Sequence, residues 1–240
     1  MDRDLLLRLG FTASPTEGQQ VKLWHRLAGD VELFIFGGFV RTFDELDAQN
    51  HVKPIPDKAY LRSALRHIHE NYGESGDVCA ISKSRQLMLT WLCCAYAVWE
   101  ARFHPHSRVM IQSKKAEDAW ALVYSQDWLS SRCGFIEWAM PPWLRPREAS
   151  GEERVEVLGT RGKLTYKNGS SIWGVPQGPH MFRSYTASLA ICDECCFQEE
   201  FEEAYTAALP MARKIVLVTT AAAGTFYARL VEEEEEEEAA

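Results

Sequence analysis

The chain has 240 residues, of which 46% are hydrophobic and 25% charged, which is enough apolar material for a large core and too much for a disordered polar chain. Its net charge of −8 comes almost wholly from Glu232–Glu238, which hold seven of the 34 acidic residues and leave 27 to face 26 basic ones. No window reaches the ~18 apolar residues of a membrane span, Met1–Gly10 carries Asp2, Arg3, Asp4 and Arg8 where a secretory leader would be apolar, and the odd count of seven Cys fits reduced thiols in a cytosol.

In chain order, residues 1–30 read as polar helix, with Leu5–Leu9 and Val21–Leu27 as amphipathic pieces. Val31–Arg41 is apolar and Gly-punctuated, and Thr42–Pro56 reads as an extended connector. Asp57 can cap a helix running to about Tyr72, with Leu61, Leu65 and Ile68 on one face. Asn71–Asp77 is a turn. Strands and helices then alternate: strand Val78–Ser82, helix Leu87–Phe103, strand Arg108–Gln112, helix Ala116–Leu129. Met140–Glu153, with three prolines, is a linker. Val155–Leu158, Lys163–Tyr166 and Ser171–Val175 have β character, with Asn168-Gly169 as a hairpin turn. Ala187–Cys192 is a buried strand, Glu199–Leu209 a helix, Lys214–Thr219 a strand and Gly224–Val231 a last helix. The run of seven Glu that follows repels itself and reads as a solvated tail or a frayed helix end. This alternation predicts an α/β fold with a central, mainly parallel sheet flanked by helices, and a small β excursion around 153–175.

Three sites carry chemistry. The first is Val78–Trp91, a strand, a polar turn (Ser82, Lys83, Ser84, Arg85, Gln86) and a helix, the context in which backbone N–H groups hold a phosphate. The usual GxxxxGK[ST] pattern is not met: aligned on Thr90, its Gly-Lys pair becomes Met88-Leu89. The second is Asp193-Glu194, at the end of an apolar strand, where parallel sheets bind ligands. An Asp there can hold Mg²⁺ and an adjacent Glu can deprotonate a water. A strand end with a helix cap is the plainer reading of that pair taken alone. The third is Thr219-Thr220, ending another apolar strand, where hydroxyls could sense a phosphate but Thr is also simply a good strand residue. Cys192-x-x-Cys195 has zinc-like spacing but lacks a second ligand pair, so packing is favoured.

Together these sites resemble the ATPase motor of the large terminase subunit of tailed bacteriophages. The pieces are Lys83-Ser84-Arg85-Gln86 with Thr90-Trp91, Phe182-Arg183-Ser184, Cys192-Asp193-Glu194 and Val218-Thr219-Thr220-Ala221. Upstream, Arg41-Thr42-Phe43-Asp44 and Pro54-Ile55-Pro56 with Tyr60-Leu61 resemble that family's lead-in to the ATP site, so the likeness spans roughly residues 35–230. It implies a P-loop NTPase fold of the ASCE kind, with ATP and Mg²⁺ as cofactors. By the same resemblance Thr90 is a Mg²⁺ ligand, Arg85 contacts the γ-phosphate, Asp193 holds Mg²⁺ through water and Glu194 is the catalytic carboxylate. Thr219 and Thr220 are the coupling motif, Arg183 an arginine finger for a neighbouring subunit, and Tyr60 an adenine contact. Some terminases carry the phosphate lysine at the start of the loop, where this chain has Lys83.

The implied organisation is a lead-in over residues 1–40, an ATPase domain over 41–231 and an acidic tail over 232–240, with no nuclease site assigned. The implied function is ATP-driven translocation of double-stranded DNA into a procapsid, by a homo-oligomeric ring that meets the portal protein and the small terminase subunit in the host cytoplasm. A helicase-like DNA-dependent ATPase and a non-catalytic assembly protein are the alternatives.

Overall fold

The four apolar runs at 78–82, 108–112, 187–192 and 214–219 form the parallel core of one sheet in the computed structural model, which describes residues 3–12, 14–44, 47, 49–70, 77–84, 87–145 and 156–238. The elements are α1 (Arg3–Arg8), α2 (Glu17–Gly29), α3 (Val31–Phe36), β1 (Arg41–Phe43), β2 (Val52–Pro54), α4 (Ala59–Glu70), β3 (Asp77–Lys83), α5 (Leu89–Phe103), β4 (Arg108–Ser113), α6 (Ala116–Val123), α7 (Arg132–Ala139), β5 (Val157–Thr160), β6 (Lys163–Tyr166), β7 (Ser171–Pro176), α8 (His180–Ser184), β8 (Leu189–Asp193), α9 (Phe201–Ala208), β9 (Lys214–Thr220) and α10 (Phe226–Glu238). A single 3-10 turn, Cys195–Phe197, follows β8.

The seven-stranded sheet has the order β3-β9-β8-β4-β7-β6-β5. Its first five strands are parallel and β6 runs antiparallel to both its neighbours, β7 and β5, so the α/β, mainly parallel expectation holds, with the β excursion on one edge. Alternate side chains serve opposite layers. Cys79, Val109, Ile111, Leu189, Ile191, Val216 and Val218 pack in one cluster with α2 to α5 and α7. Met110, Ala190, Cys192, Ile215 and Leu217 pack in the other with Phe182 of α8, Phe201 and Tyr205 of α9 and Tyr227 of α10. Apolar all round, α5 is buried from Leu89 to Arg102 apart from Thr90 and Trp91, as a helix between layers must be. Its buried cation Arg102 pairs with buried Glu137 of α7, which also accepts a 2.8 Å hydrogen bond from Tyr166 of β6.

Several local expectations are corrected. Val31–Arg41 begins as α3, capped by the Asp30 carboxylate accepting from the Leu33 N–H at 2.8 Å. The Thr42–Pro56 connector holds a two-stranded antiparallel ribbon, β1 with β2. Asp57 does not cap α4: its carboxylate takes the Arg62 guanidinium at 2.5 and 2.9 Å. The helix expected to reach Leu129 ends at Val123, and Asp127 instead accepts the N–H groups of Leu129 and Ser130, both at 2.8 Å, in a tight turn before α7. The last helix runs through the Glu tract to Glu238. The Asn71–Gly76 turn, most of the Pro-rich linker and Val155 lie outside the described residues.

Candidate functional site

β9 lies between β3 and β8, which sets the two candidate motifs about 9.6 Å apart at two strand spacings. The register puts Ile81, Val218 and Asp193 at one level, with Lys83 level with Thr220, two residues nearer the carboxyl edge. From there the Lys83 side chain crosses the end of β9. Its ammonium lies 2.8 Å from Glu194 Oε1 and 3.4 Å from Thr90 Oγ1. The Thr90 hydroxyl donates to Asp193 Oδ1 at 3.0 Å. Lys83, Thr90, Asp193 and Glu194 therefore form one connected polar cluster, built from the ends of β3 and β8 and the first turn of α5.

The backbone is specialised at both sides of this cluster. Met88, at the start of α5, has φ of 56°, the left-handed region that favours Gly. It occupies the position that the common phosphate-loop pattern gives to Gly. Glu194 also has a left-handed φ, 52°, which turns its side chain from β8 toward the ends of β3 and β9. Its second oxygen, Oε2, accepts from the Thr220 N–H at 3.1 Å and faces the Thr219 hydroxyl at 3.5 Å. Thr219 Oγ1 in turn accepts from the Cys196 N–H at 3.2 Å.

The two carboxylates are tuned in opposite directions. Burial raises the Asp193 carboxyl above the usual range, against the opposing pull of the Lys83 charge and the Thr90 hydrogen bond. Burial pushes Glu194 the same way, but the Lys83 hydrogen bond and charge, the Thr220 N–H and the Thr219 hydroxyl together hold it below the usual value. Glu194 is thus an ionised acceptor at neutral pH. Asp193 is a desolvated carboxylate beside a hydroxyl, an all-oxygen pair that suits Mg²⁺, which takes one or two protein oxygens and fills its shell with water and phosphate oxygens. Among the described residues no group of three or more His, Cys, Asp or Glu could hold a metal unaided. Cys192 and Cys195 are buried in the second core cluster.

The other sequence candidates fall elsewhere. Ser82 is exposed and its hydroxyl meets the Tyr227 hydroxyl at 3.0 Å, while Ser84 is exposed. Arg85 and Gln86 lie outside the described residues. Arg183 is exposed on α8, lining a cleft of about 580 Å³ with Glu202, Glu203 and Thr206 of α9, away from the cluster in its own chain. Tyr60, 43% exposed at the start of α4, has no contact with the cluster, and a cleft of about 830 Å³ between α2, α3 and α4 does not include it. Sequence reading missed Arg132, the first residue of α7, whose guanidinium stands 5.7 Å from the centre of the Trp91 ring. The only local signal was Ser131 as a possible start of a helix.

No protein-family model matches the sequence, nor does any curated protein sequence. Solved structures are similar in fold. The large terminase of bacteriophage HK97 overlays with a TM-score of 0.63 at 14% identity, covering 88% of this chain and 42% of its own. The large terminase ATPase domain of Thermus phage P74-26 overlays at 0.44 and 15% identity, over 74% of this chain and 68% of its own. The large terminase of a thermophilic bacteriophage in complex with ADP overlays at 0.47 and 13%, over 68% of this chain and 39% of its own. The chain spans about two fifths of the HK97 protein, and over that span its fold is similar to that of this phage large terminase.

Proposed function

We propose that this chain is the ATP-hydrolysing motor domain of a phage DNA-packaging terminase. The observation that carries the reading is the cluster in which Lys83, Thr90, Asp193 and Glu194 meet at the carboxyl ends of β3 and β8, beside the N-terminus of α5. The positive end of that helix and the loop before it would receive the phosphates. Lys83, a long side chain with a point charge, would serve the β- and γ-phosphates in place of the lysine missing at Leu89. Thr90 and Asp193 would hold Mg²⁺, which would offset charge on the transferring phosphoryl group. Glu194, ionised and fixed through Oε2, would orient the attacking water and accept its proton on Oε1 once Lys83 has moved to phosphate. Thr219 and Thr220, which touch Glu194 directly, would pass the state of the site to β9 and α10.

The same reading gives double-stranded DNA, the portal protein and the small terminase subunit as partners, in a homo-oligomeric ring in the host cytoplasm. Arg183, exposed and remote from its own chain's cluster, would act on the nucleotide of a neighbouring copy. Arg85 would add a contact to the γ-phosphate. The test is Mg²⁺-dependent ATP hydrolysis by the purified chain and by Glu194→Gln. The variant, freed of the Lys83 ion pair, should bind ATP at least as tightly as the native chain and turn it over about 10²-fold or more slowly. Failure of the native chain to bind ATP at millimolar concentration would refute the reading.

A further inference from the structure

The first residue of α7 stands beside the site. On that helix Phe135 meets the Trp91 ring edge-to-face with centroids 6.0 Å apart, and Arg132, one turn earlier on the same face, lays its guanidinium over the same ring at 5.7 Å. Trp91 follows Thr90, whose hydroxyl binds Asp193. The two α7 side chains therefore fix the guanidinium against the first turn of α5. The charge of Arg132 also reaches the buried Asp193 carboxyl and pulls against its upward shift.

This cation–ring contact leaves the guanidinium's hydrogen-bonding capacity unused. Arg62, Arg66, Arg102 and Arg229 each pair with a carboxylate. Arg132 forms no ion pair and no side-chain hydrogen bond among the described residues, although it is half-buried. A guanidinium seated over an aromatic ring keeps its five N–H donors available, a fork that matches two oxygens of one phosphate. Its place beside the α5 N-terminus is where a bound nucleotide's outer phosphate would present such oxygens.

We infer that Arg132 is a phosphate-contacting residue that recognises the terminal phosphate of a nucleoside triphosphate bound in its own chain, with Trp91 as its positioning residue. The inference rests on the nucleotide reading of the cluster. It adds a cation in cis from an element outside the three sequence motifs, distinct from Lys83 at the loop and from Arg183 on α8.

The test compares affinities for ADP and for a non-hydrolysable ATP analogue, with Mg²⁺, in the native chain, Arg132→Ala, Arg132→Lys and Trp91→Leu. Binding is read by titration calorimetry, and needs no assembled ring. Arg132→Ala should weaken the triphosphate about 10- to 100-fold, as loss of charge-assisted hydrogen bonds does, and change ADP affinity less than about 2-fold. Arg132→Lys, which keeps the charge and loses the fork, should recover part of the difference, and Trp91→Leu should lose part of it. Equal weakening of both nucleotides, or no change in their ratio in folded Arg132→Ala and Arg132→Lys, would overturn the inference and leave the proposed function standing. A native chain that binds neither nucleotide would sink both.

Discussion

The ammonium of Lys83 lies 2.8 Å from Glu194 although their strands are separated by β9. The cation that the phosphates would need is thus seated on the carboxylate that would activate water. Lys83 is 9% exposed in its side chain and Glu194 37%, so the lysine is largely withdrawn from solvent while the carboxylate is partly open to it. Under the proposed function, a triphosphate entering beside α5 would compete with Glu194 for this one ammonium, and the carboxylate would be released as the substrate bound. Lys83→Ala is therefore expected to lose both triphosphate affinity and turnover, the latter about 10²-fold or more, while Lys83→Arg keeps a measurable part of each. Steady-state hydrolysis checks this. An intact rate in Lys83→Ala would mean that the charge missing at Leu89 is supplied by a different residue.

Asp193 and Glu194 are neighbours with opposite effects on stability. The Glu194 carboxyl is lowered in the folded chain, so its contribution is present above the unfolded carboxylate value and is lost as pH falls through the folded one. Asp193 is raised, mainly by burial, so the folded chain favours its protonated form, and stability falls as pH rises from the unfolded value through the folded one. Asp193→Asn removes that burden and can still accept the Thr90 hydroxyl. Its melting temperature at pH 7 should rise by about 2–4 °C, the shift that ~1 kcal/mol gives in a chain of this size, and the gain should shrink toward pH 4. Mg²⁺-dependent nucleotide binding should be lost in the same variant. Melting curves against pH check the first part and calorimetry the second.

Met88 shows how much of the site was legible in the sequence. As a string, Met88-Leu89 is a failed match to Gly-Lys. In space, Met88 has φ of 56° and supplies the left-handed turn that Gly would have supplied, at a cost of about 1–2 kcal/mol. Met88→Gly should leave stability within about 1 kcal/mol, relief of strain being offset by the extra freedom of Gly in the unfolded chain. Met88→Val, β-branched at positive φ, should lose more than 1 kcal/mol and loosen the loop. Denaturant midpoints distinguish the two.

The sheet was legible for a related reason. Val78–Ser82, Arg108–Gln112, Ala187–Cys192 and Lys214–Thr219 are apolar because both faces are covered, and continuous apolar runs between helical patterns have few other solutions. α3 and α7 were not legible. Val31–Phe36 is one and a half turns long, too short for periodicity to show, and is fixed by the Asp30 cap and by burial of Phe34. α7 carries Gly134 and aromatic residues with little helical preference, and is held by packing on α5 and by the buried Arg102–Glu137 pair. Arg132 was missed with it, because its relation to Trp91 exists only once α7 is docked.

Thr219 sits where β9, the 3-10 turn after β8 and the Glu194 side chain converge. Its oxygen accepts the Cys196 N–H at 3.2 Å, and its single hydroxyl proton faces the Thr220 carbonyl at 3.3 Å and Glu194 Oε2 at 3.5 Å. Thr219→Val keeps the shape of a residue that is fully buried and removes all three interactions. It leaves the Cys196 N–H without its acceptor, which costs about 1–3 kcal/mol, and leaves Glu194 Oε2 held by the Thr220 N–H alone. Lys83, Thr90 and Asp193, the groups proposed to meet the phosphates and Mg²⁺, are untouched. Nucleotide affinity should therefore stay within about threefold of native, while the hydrolysis rate falls about tenfold as Glu194 loses its fixed orientation. Thr219→Ser, which restores the hydroxyl, should recover most of that rate. A Thr219→Val variant whose binding fails along with its rate would place the residue in ligand binding and not in the orientation of Glu194.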